Sequence, residues 1–181
     1  WYLITSTNLA PVTAPWSQAY AGNTSNANLL PLTISLWVKF DAAMNGNGNI
    51  LSKYVPAMWN GIQVLAAGDT AAKKYYIIPW YLNSSSNRLI GGYGEPSFHV
   101  EVAPSKWSHF VFTVDYKEAR IYLDNELIAA KPWTGTAKPS TNGLNWKIGG
   151  LYNGWFMGDI DDVRIYNRVL LDYEIKHLFE N

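Results

Sequence analysis

The chain has 181 residues, a length typical of one domain, and we expect residues 1–181 to form a single domain. Its 14 Lys and Arg balance its 14 Asp and Glu, which argues against nucleic acid as a partner, and no run reaches the about 18 apolar residues that membrane insertion requires. With no cysteine, the sequence excludes disulfides, thiolate nucleophiles and thiolate zinc sites.

Short runs rich in Val, Ile, Thr, Tyr, Phe and Trp alternate with clusters of Asn, Gly, Ser and Pro along most of the chain. Such runs are typical of β-strands separated by turns. Many short strands without helices between them predict an all-β fold, a two-sheet antiparallel β-sandwich. The predicted strands are Thr33–Phe40, Asn49–Lys53, Gly61–Leu65, Tyr75–Leu82, Arg88–Tyr93, Phe98–Val102, Trp107–Asp115, Arg120–Leu123, Glu126–Ala130, Lys147–Gly149 and Asp159–Tyr166.

One hairpin turn is predicted at Asp124-Asn125, between two of these strands. Asp and Asn tolerate the positive φ angles that a two-residue hairpin turn demands. The end of the chain departs from the strand pattern, because Leu171, Ile175 and Leu178 recur at helical spacing. We therefore expect a short C-terminal helix, with Asp172 as its N-cap.

Five sequence blocks follow one another in a characteristic order. They are Thr33–Lys39 (TISLWVK), Ile50–Lys53 (ILSK), Lys106–Thr113 (KWSHFVFT), Ile121–Leu127 (IYLDNEL) and Gly158–Leu170 (GDIDDVRIYNRVL). Together they resemble the laminin-G-like, concanavalin-A-like jelly-roll modules over about residues 33–179. The resemblance implies a two-sheet jelly roll in which Trp37 and Trp107 are core rings, and the region before residue 33 has no clear counterpart.

A pair of carboxylates raises the question of catalysis. Some relatives on this fold are retaining glycosidases, which carry two carboxylates at alternating positions of one strand. Asp159 and Asp161 resemble that pattern, but Val163 and Ile165 occupy the face beyond them, and Asp is shorter than the Glu that such sites use. We therefore expect no catalytic residues and no enzyme activity.

The same strand suggests a metal ligand. If Val163 and Ile165 face the core, alternation puts Asp161 on the inward side, where a carboxylate needs a partner. Backbone N–H groups or Arg168 would serve, and so would calcium, which the modules that the chain resembles often hold near this strand. The sequence therefore leaves two expectations open. Either Asp161 binds a structural calcium ion, or backbone N–H groups or Arg168 pair with it.

Setting Trp37 and Trp107 aside leaves seven of the nine tryptophans, more than a sandwich of this size needs. Several lie beside Asn and Gly in predicted loops, where aromatic rings can stack on sugar faces while amides bind the hydroxyl groups. The predicted ligand-binding residues are Trp59, Trp80, Tyr81, Trp133, Tyr152 and Trp155, aided by Asn60, Arg88 and Asn153.

The predicted strand Tyr75–Leu82 is apolar on both faces. Since one face of an antiparallel sandwich normally meets water, we expect its outward face to be covered by a loop or offered to a ligand. Pro79 restricts this strand to an edge or a bulge.

These observations support three hypotheses about function. The first is a non-catalytic, lectin-like carbohydrate-binding module that attaches a secreted, cell-surface or phage protein to a polysaccharide or glycan. It would be extracellular, on the cell surface or on a virion, and part of a larger multidomain protein. The alternative is a protein-interaction or structural adhesion domain on the same fold, because interfaces also favour Tyr and Trp. The third is a glycoside hydrolase.

Overall fold

A computed structural model describes residues 2–5, 19–21, 30–58, 60–84, 87–90, 98–133, 144–150 and 154–181. Thirteen strands, one 3-10 turn and one helix make up these residues. They are β1 (Tyr2–Thr5), β2 (Ala19–Ala21), β3 (Leu32–Phe40), β4 (Gly46–Val55), a 3-10 turn (Pro56–Met58), β5 (Asn60–Asp69), β6 (Lys74–Ser84), β7 (Asn87–Ile90), β8 (Val100–Val102), β9 (Trp107–Val114), β10 (Glu118–Leu123), β11 (Glu126–Pro132), β12 (Trp146–Ile148), β13 (Gly158–Tyr166) and α1 (Asp172–Glu180).

The strands form two antiparallel sheets, which confirms the predicted sandwich. The first sheet has six strands in the order β1-β13-β3-β9-β10-β11. The second has seven strands in the order β2-β12-β4-β5-β6-β7, with β8 also paired to β6. In each sheet, strands from the beginning and the end of the chain pair with each other, as β1 does with β13 and β2 with β12.

Each of the eleven predicted strands overlaps a strand of the structure, and the boundaries that can be compared are shifted by a few residues, while residues 91–93 of the predicted strand Arg88–Tyr93 lie outside the described residues. The turn at Asp124-Asn125 is also confirmed, because both residues have positive φ angles, 49° and 69°. The carboxylate of Asp124 accepts a hydrogen bond from the backbone N–H of His109 at 2.8 Å. The sequence did not predict β1 and β2, which precede the residues that carry the family resemblance.

A hydrophobic core fills the space between the sheets, and strand alternation explains its composition. On β3, for example, Leu36 and Val38 point into the core. Trp37 between them therefore lies on the outer side of the first sheet, where its ring stacks on Phe179 at 5.8 Å. Trp107 is on the same outer side, with Lys39 Nζ 5.1 Å from its ring. The expectation that Trp37 and Trp107 lie in the core is therefore wrong.

Helix α1 covers part of the outer side of the first sheet. Ile175 and Leu178 are buried there in a second apolar cluster with Val111 and Tyr122. The helix confirms the prediction, but its N-cap is Leu171 rather than Asp172, whose carboxylate accepts the Tyr122 hydroxyl at 2.9 Å. In the described part of the chain, no helix is long and apolar enough to span a membrane.

Candidate functional site

Strand β6 presents a half-buried aromatic face to the outside of the second sheet. Tyr75, Ile77 and Tyr81 are buried in the core, so alternation turns Tyr76, Ile78 and Trp80 outward, and these three are half-buried. We call the side of the second sheet that carries them the outer face.

Pro79 lies between the part of β6 that pairs with β8 and the part that pairs with β7. On the side away from β5, β6 pairs with β8 through residues 75–77 and with β7 from residue 81 onward. Among the described strands, none pairs with residues 78–80 on this side. The position of Pro79 at an edge or a bulge stays a prediction, because residues 91–97, which join β7 to β8, lie outside the described residues.

Polar side chains occupy the middle of the outer face. Ile62, Val64 and Ala66 of β5 belong to the core, which turns Gln63 outward. In the sheet register, Gln63 stands between Ser52 on one side and Trp80 on the other. Gln63 and Ser52 are almost completely buried.

A bulge in β4 brings Asn49 to the same face. Asn49 pairs with Leu65, whereas Leu51 pairs with Val64, so one extra residue lies between them. Residues three positions apart in a regular strand point to opposite faces, so the bulge is what puts Asn49 and Ser52 on the same face. Asn49 Oδ1 accepts a hydrogen bond from Gln63 Nε2 at 3.3 Å, and both side chains are 0% exposed.

Gln63 carries an acceptor atom that has no donor among the described residues. Its Nε2 is bound to Asn49, but its buried Oε1 has no hydrogen-bond partner there. A buried acceptor without a donor costs about 1–3 kcal/mol. A hydroxyl or N–H donor at this position is therefore favoured.

Trp155 extends this face at the side of β4. It forms a parallel bridge with Asn49 and an antiparallel bridge with Gly150. The next residue, Phe156, is buried against Phe40 with 5.0 Å between the ring centres. Since neighbouring residues of an extended segment point to opposite sides, Trp155 faces outward beside Asn49.

The Trp155 ring is both supported and exposed. A Cβ atom on Gly150 would lie 2.2 Å from Cε3 of this ring, so Gly150 leaves space for the ring to lie against its backbone. The side chain is nevertheless 38% exposed. Such an arrangement holds an aromatic ring in place and leaves part of it free to stack on a ligand.

The outer face is most open at one end. Asn47 is exposed there, and Ala67 and Tyr76, which are aligned with it on β5 and β6, are half-buried. The Tyr76 ring meets the edge of His99 at 4.9 Å. This end combines an exposed amide, a small residue and an aromatic ring.

A buried lysine lies on the opposite, inward side of β4. Lys53 pairs with the core residue Ile62 and is 1% exposed. Its Nζ donates a hydrogen bond to the carbonyl of Leu144, and burial lowers its pKa. Lys53 thus ties β4 to the segment that leads into β12, next to the outer-face residues.

Two predicted ligand-binding residues belong to the interior instead. Tyr81 is 0% exposed and meets the edge of Trp133, with ring centres 5.7 Å apart. Trp133 packs against the core, and its Nε1 donates to the carbonyl of Asp115 at 2.5 Å. The prediction that Tyr81 contacts a ligand is wrong because it presents no surface, and Trp133 packs inward instead of forming an exposed platform.

The other predicted ligand-binding residues do not all lie on one face. Trp80 and Trp155 share the outer face, so the structure brings these two together. Asn60 is the first residue of β5 and pairs with Val55. It lies on the same side of β5 as Ile62, which faces inward. Trp59, Tyr152 and Asn153 lie outside the described residues. Arg88 lies in β7, where the structure describes its backbone and not its side chain.

Asp161 does not point into the core, contrary to expectation. It pairs with Trp37 on the outer side of the first sheet, because a bulge places an extra residue between Asp161 and Arg164. Asp162 occupies the bulge with a φ of 47° and donates its N–H to Asp161 Oδ1 at 2.7 Å. The inward-carboxylate argument for calcium is therefore wrong.

The neighbouring carboxylates are already paired. Asp159 lies 2.5 Å from Lys39 Nζ, and Asp162 lies 2.7 Å from Arg164. These pairs do not fit a calcium ion at Asp161, which needs several free oxygen ligands. No group of three or more His, Asp or Glu residues in the described ranges could hold a metal. Calcium binding stays a prediction.

Sequence reasoning missed most of the polar part of the face. Asn49, Gln63 and Ser52 occur within predicted strands, whereas most of the predicted ligand-binding residues lie beside loops. The usable signal was a single polar residue between two apolar residues of a predicted strand, as at Gln63 between Ile62 and Val64. No pattern in the sequence indicates that Gly150 contacts the Trp155 ring.

Solved structures share the fold with this chain at low sequence identity. Domain 4 of AbnA, an extracellular arabinanase from Geobacillus stearothermophilus in complex with arabinotriose, is 17% identical, with a TM-score of 0.59 over 96% of this chain and 82% of that one. The botulinum neurotoxin serotype G binding domain is 16% identical, with a TM-score of 0.59 over 90% of this chain and 39% of that one.

A sialidase from Trypanosoma rangeli also matches, with 19% identity and a TM-score of 0.57 over 83% of this chain and 22% of that one. The fold thus occurs both in chains with binding domains and in chains of hydrolases. A comparison with curated proteins gave no match. A family model described as the concanavalin A-like lectin/glucanases superfamily matches residues 17–176. The chain therefore belongs to the concanavalin A-like lectin/glucanases superfamily.

Proposed function

We propose that this domain is a non-catalytic glycan-binding module that uses the outer face of the second sheet. The observation that carries the proposal is the Trp155 ring, which lies against Gly150, stays 38% exposed and stands beside the buried Asn49–Gln63 amide pair. The bulge in β4 and the bridge to Trp155 bring these residues together.

The chemistry of this face suits a sugar. A pyranose or furanose presents C–H groups that stack on an aromatic plane, and hydroxyl groups that need amide partners. Trp155 supplies the plane and Asn47 supplies an exposed amide, while the buried Asn49–Gln63 pair fixes the strand beneath them. The position of Trp80 beside Gln63 adds a second ring to the same face.

The absence of catalysis is part of the proposal. Asp159 and Asp161, the carboxylates that resemble a glycosidase pair, lie on the outer side of the first sheet, away from Trp155. Lys39 pairs with Asp159, and the N–H of Asp162 binds Asp161. A general acid must be free to reach the leaving group, and both of these carboxylates are already bound to other groups of the first sheet.

The similar structures give context for the host protein. The domain of the extracellular arabinanase binds arabinotriose, and the neurotoxin match spans a part of a longer chain. By analogy, we propose that this module belongs to a larger secreted, cell-surface or virion protein and holds that protein at a polysaccharide.

A second candidate is a protein-interaction domain. Leu127, the second residue of the edge strand β11, is 53% exposed, and Tyr173 of α1 is 69% exposed. Both line one pocket of about 340 Å³ together with Tyr122 and Lys176. An edge strand beside exposed apolar side chains can pair with another protein. This surface is on the first sheet, so the two candidates require different parts of the molecule.

The test is a binding screen with the isolated domain against arabinotriose and neutral and acidic polysaccharides, using wild type, Trp155→Ala and Tyr173→Ala. Tyr173→Ala is the matched control, because it removes an exposed aromatic ring from the other sheet. We expect Trp155→Ala to weaken binding by about tenfold or more and Tyr173→Ala to bind like wild type. No binding by folded wild type, or equal binding by Trp155→Ala, would contradict the proposal.

A further inference from the structure

The open end of the outer face has two aromatic rings that are far apart. Trp155 is bridged to Asn49 of β4, and Tyr76 lies on β6, with β5 between them. Three steps between neighbouring strands correspond to about 14 Å, since strands lie about 4.8 Å apart. One sugar ring is too small to contact both aromatic residues.

The surface between the two rings is low. Ala67 on β5 aligns with Asn47 on one side and with Tyr76 on the other, and its side chain is a single methyl group. Leu65, the next residue of β5 on this face, is 0% exposed and therefore covered, so the open path lies at Ala67 and not further along β5. A ligand can therefore cross β5 at Ala67, beside the exposed amide of Asn47, without meeting a large side chain.

The charges near this path do not favour an anion. The charged residues of the strands at this end are Glu101, which aligns with Tyr76, and Asp69, which aligns with Lys74. With Lys147 of β12, which pairs with Ser52 near Trp155, two carboxylates face two ammonium groups, so there is no excess positive charge, and the whole chain has a net charge of zero. Acidic sugars gain nothing here, whereas hydroxyl groups find amide partners.

We infer that the site takes an extended, neutral glycan chain that crosses β4, β5 and β6, with Trp155 and Tyr76 stacking on different sugar units. This inference rests on the proposed glycan-binding function and adds the class of ligand. His99, which meets the Tyr76 ring at 4.9 Å, acts as a positioning residue for that ring. Two platforms on one chain raise the affinity because the second contact is intramolecular once the first has formed.

The experiment is calorimetric titration with oligosaccharides of one to six units from arabinan, xylan and β-glucan, and with hyaluronan oligosaccharides as the acidic series. The proteins are wild type, Trp155→Ala, Tyr76→Leu and Ala67→Leu, each checked by its melting temperature. Tyr76→Leu keeps the apolar volume but removes the planar ring, and Ala67→Leu raises the surface between the rings without touching either ring. Tyr173→Ala serves as the control.

We expect the affinity of wild type for one neutral series to rise about tenfold or more between one unit and six. Tyr76→Leu and Ala67→Leu should each remove about fivefold of the six-unit affinity and should have a smaller effect on the weak binding of single units. Equal affinity for short and long oligosaccharides, no effect of Tyr76→Leu, or tighter binding of hyaluronan would overturn this inference while leaving glycan binding intact. If no oligosaccharide or polysaccharide binds, the proposed function fails as well.

Discussion

The ring of Trp155 lies against Gly150 so closely that a Cβ atom on Gly150 would come within 2.2 Å of Cε3. We therefore predict that Gly150→Ala displaces the ring. The added methyl group should lower the free energy of unfolding by about 1–3 kcal/mol, as overpacking does, and weaken glycan binding. Denaturant unfolding and titration with the bound glycan measure the two effects.

The control for Gly150→Ala is the same change in the Trp155→Ala background. Without the ring, the added methyl group has nothing to displace, so its cost should fall to less than half. An equal cost in both backgrounds would show that Gly150 is needed for another reason.

Trp133 gives the opposite prediction, because its ring packs inward on Tyr81 and its Nε1 binds the carbonyl of Asp115. We expect Trp133→Ala to lower the free energy of unfolding by about 3 kcal/mol and to leave the glycan affinity of the folded protein unchanged. Urea unfolding and titration below the unfolding transition test this. Intact stability together with lost binding would mean that Trp133 contacts the ligand.

The stability of the domain should depend on pH through His109. Burial lowers the pKa of His109 to about 4, and its Nε2 lies 2.8 Å from Ser35 Oγ. Because the folded-state pKa lies below the ordinary value of about 6.5, the unfolded chain takes up a proton first as the pH falls. The stabilisation is therefore complete above about pH 6.5 and is lost progressively towards pH 4, by up to about 3 kcal/mol.

Other groups titrate in the same range, so the pH dependence must be compared with that of His109→Gln. Gln can keep a hydrogen bond to Ser35 but takes up no proton. We expect the slope of unfolding free energy against pH between 4.5 and 6.5 to be smaller in His109→Gln. Identical slopes would show that His109 is not responsible.

The structure also makes a prediction about calcium. Asp161 Oδ1 accepts the N–H of Asp162, and the flanking carboxylates of Asp159 and Asp162 are paired with basic residues. We expect wild type and Asp161→Asn to show the same change of melting temperature when calcium is added or chelated. A calcium response present in wild type and absent in Asp161→Asn would restore Asp161 as a ligand.

Much of the fold could be predicted from the sequence because alternation and turn residues are local signals. The turn at Asp124-Asn125 is one example, since the two residues alone favour its positive φ angles. The face on which a side chain lies was less predictable where a bulge intervenes. One extra residue moved Asp161 outward, and another put Asn49 on the face of Gln63.

The candidate site was predictable only in part. The aromatic surplus indicated Trp80 and Trp155, but sequence cannot distinguish an outward Trp80 from the buried Tyr81 beside it until the inner face is known. The bridge of Trp155 to Asn49 joins residues more than a hundred positions apart and depends on the completed second sheet. Buried amides in strands gave the weakest signal, because their neighbours are apolar core residues.

The most direct test of the central claim is to map the bound glycan by NMR, with backbone and indole resonances followed during titration with the oligosaccharide that binds most tightly. Glycan binding at the outer face predicts the largest shifts at Trp155, Asn49 and Tyr76, and no change at Tyr173 or Leu127. Shifts concentrated at Tyr173 and Leu127, on the first sheet, would contradict it.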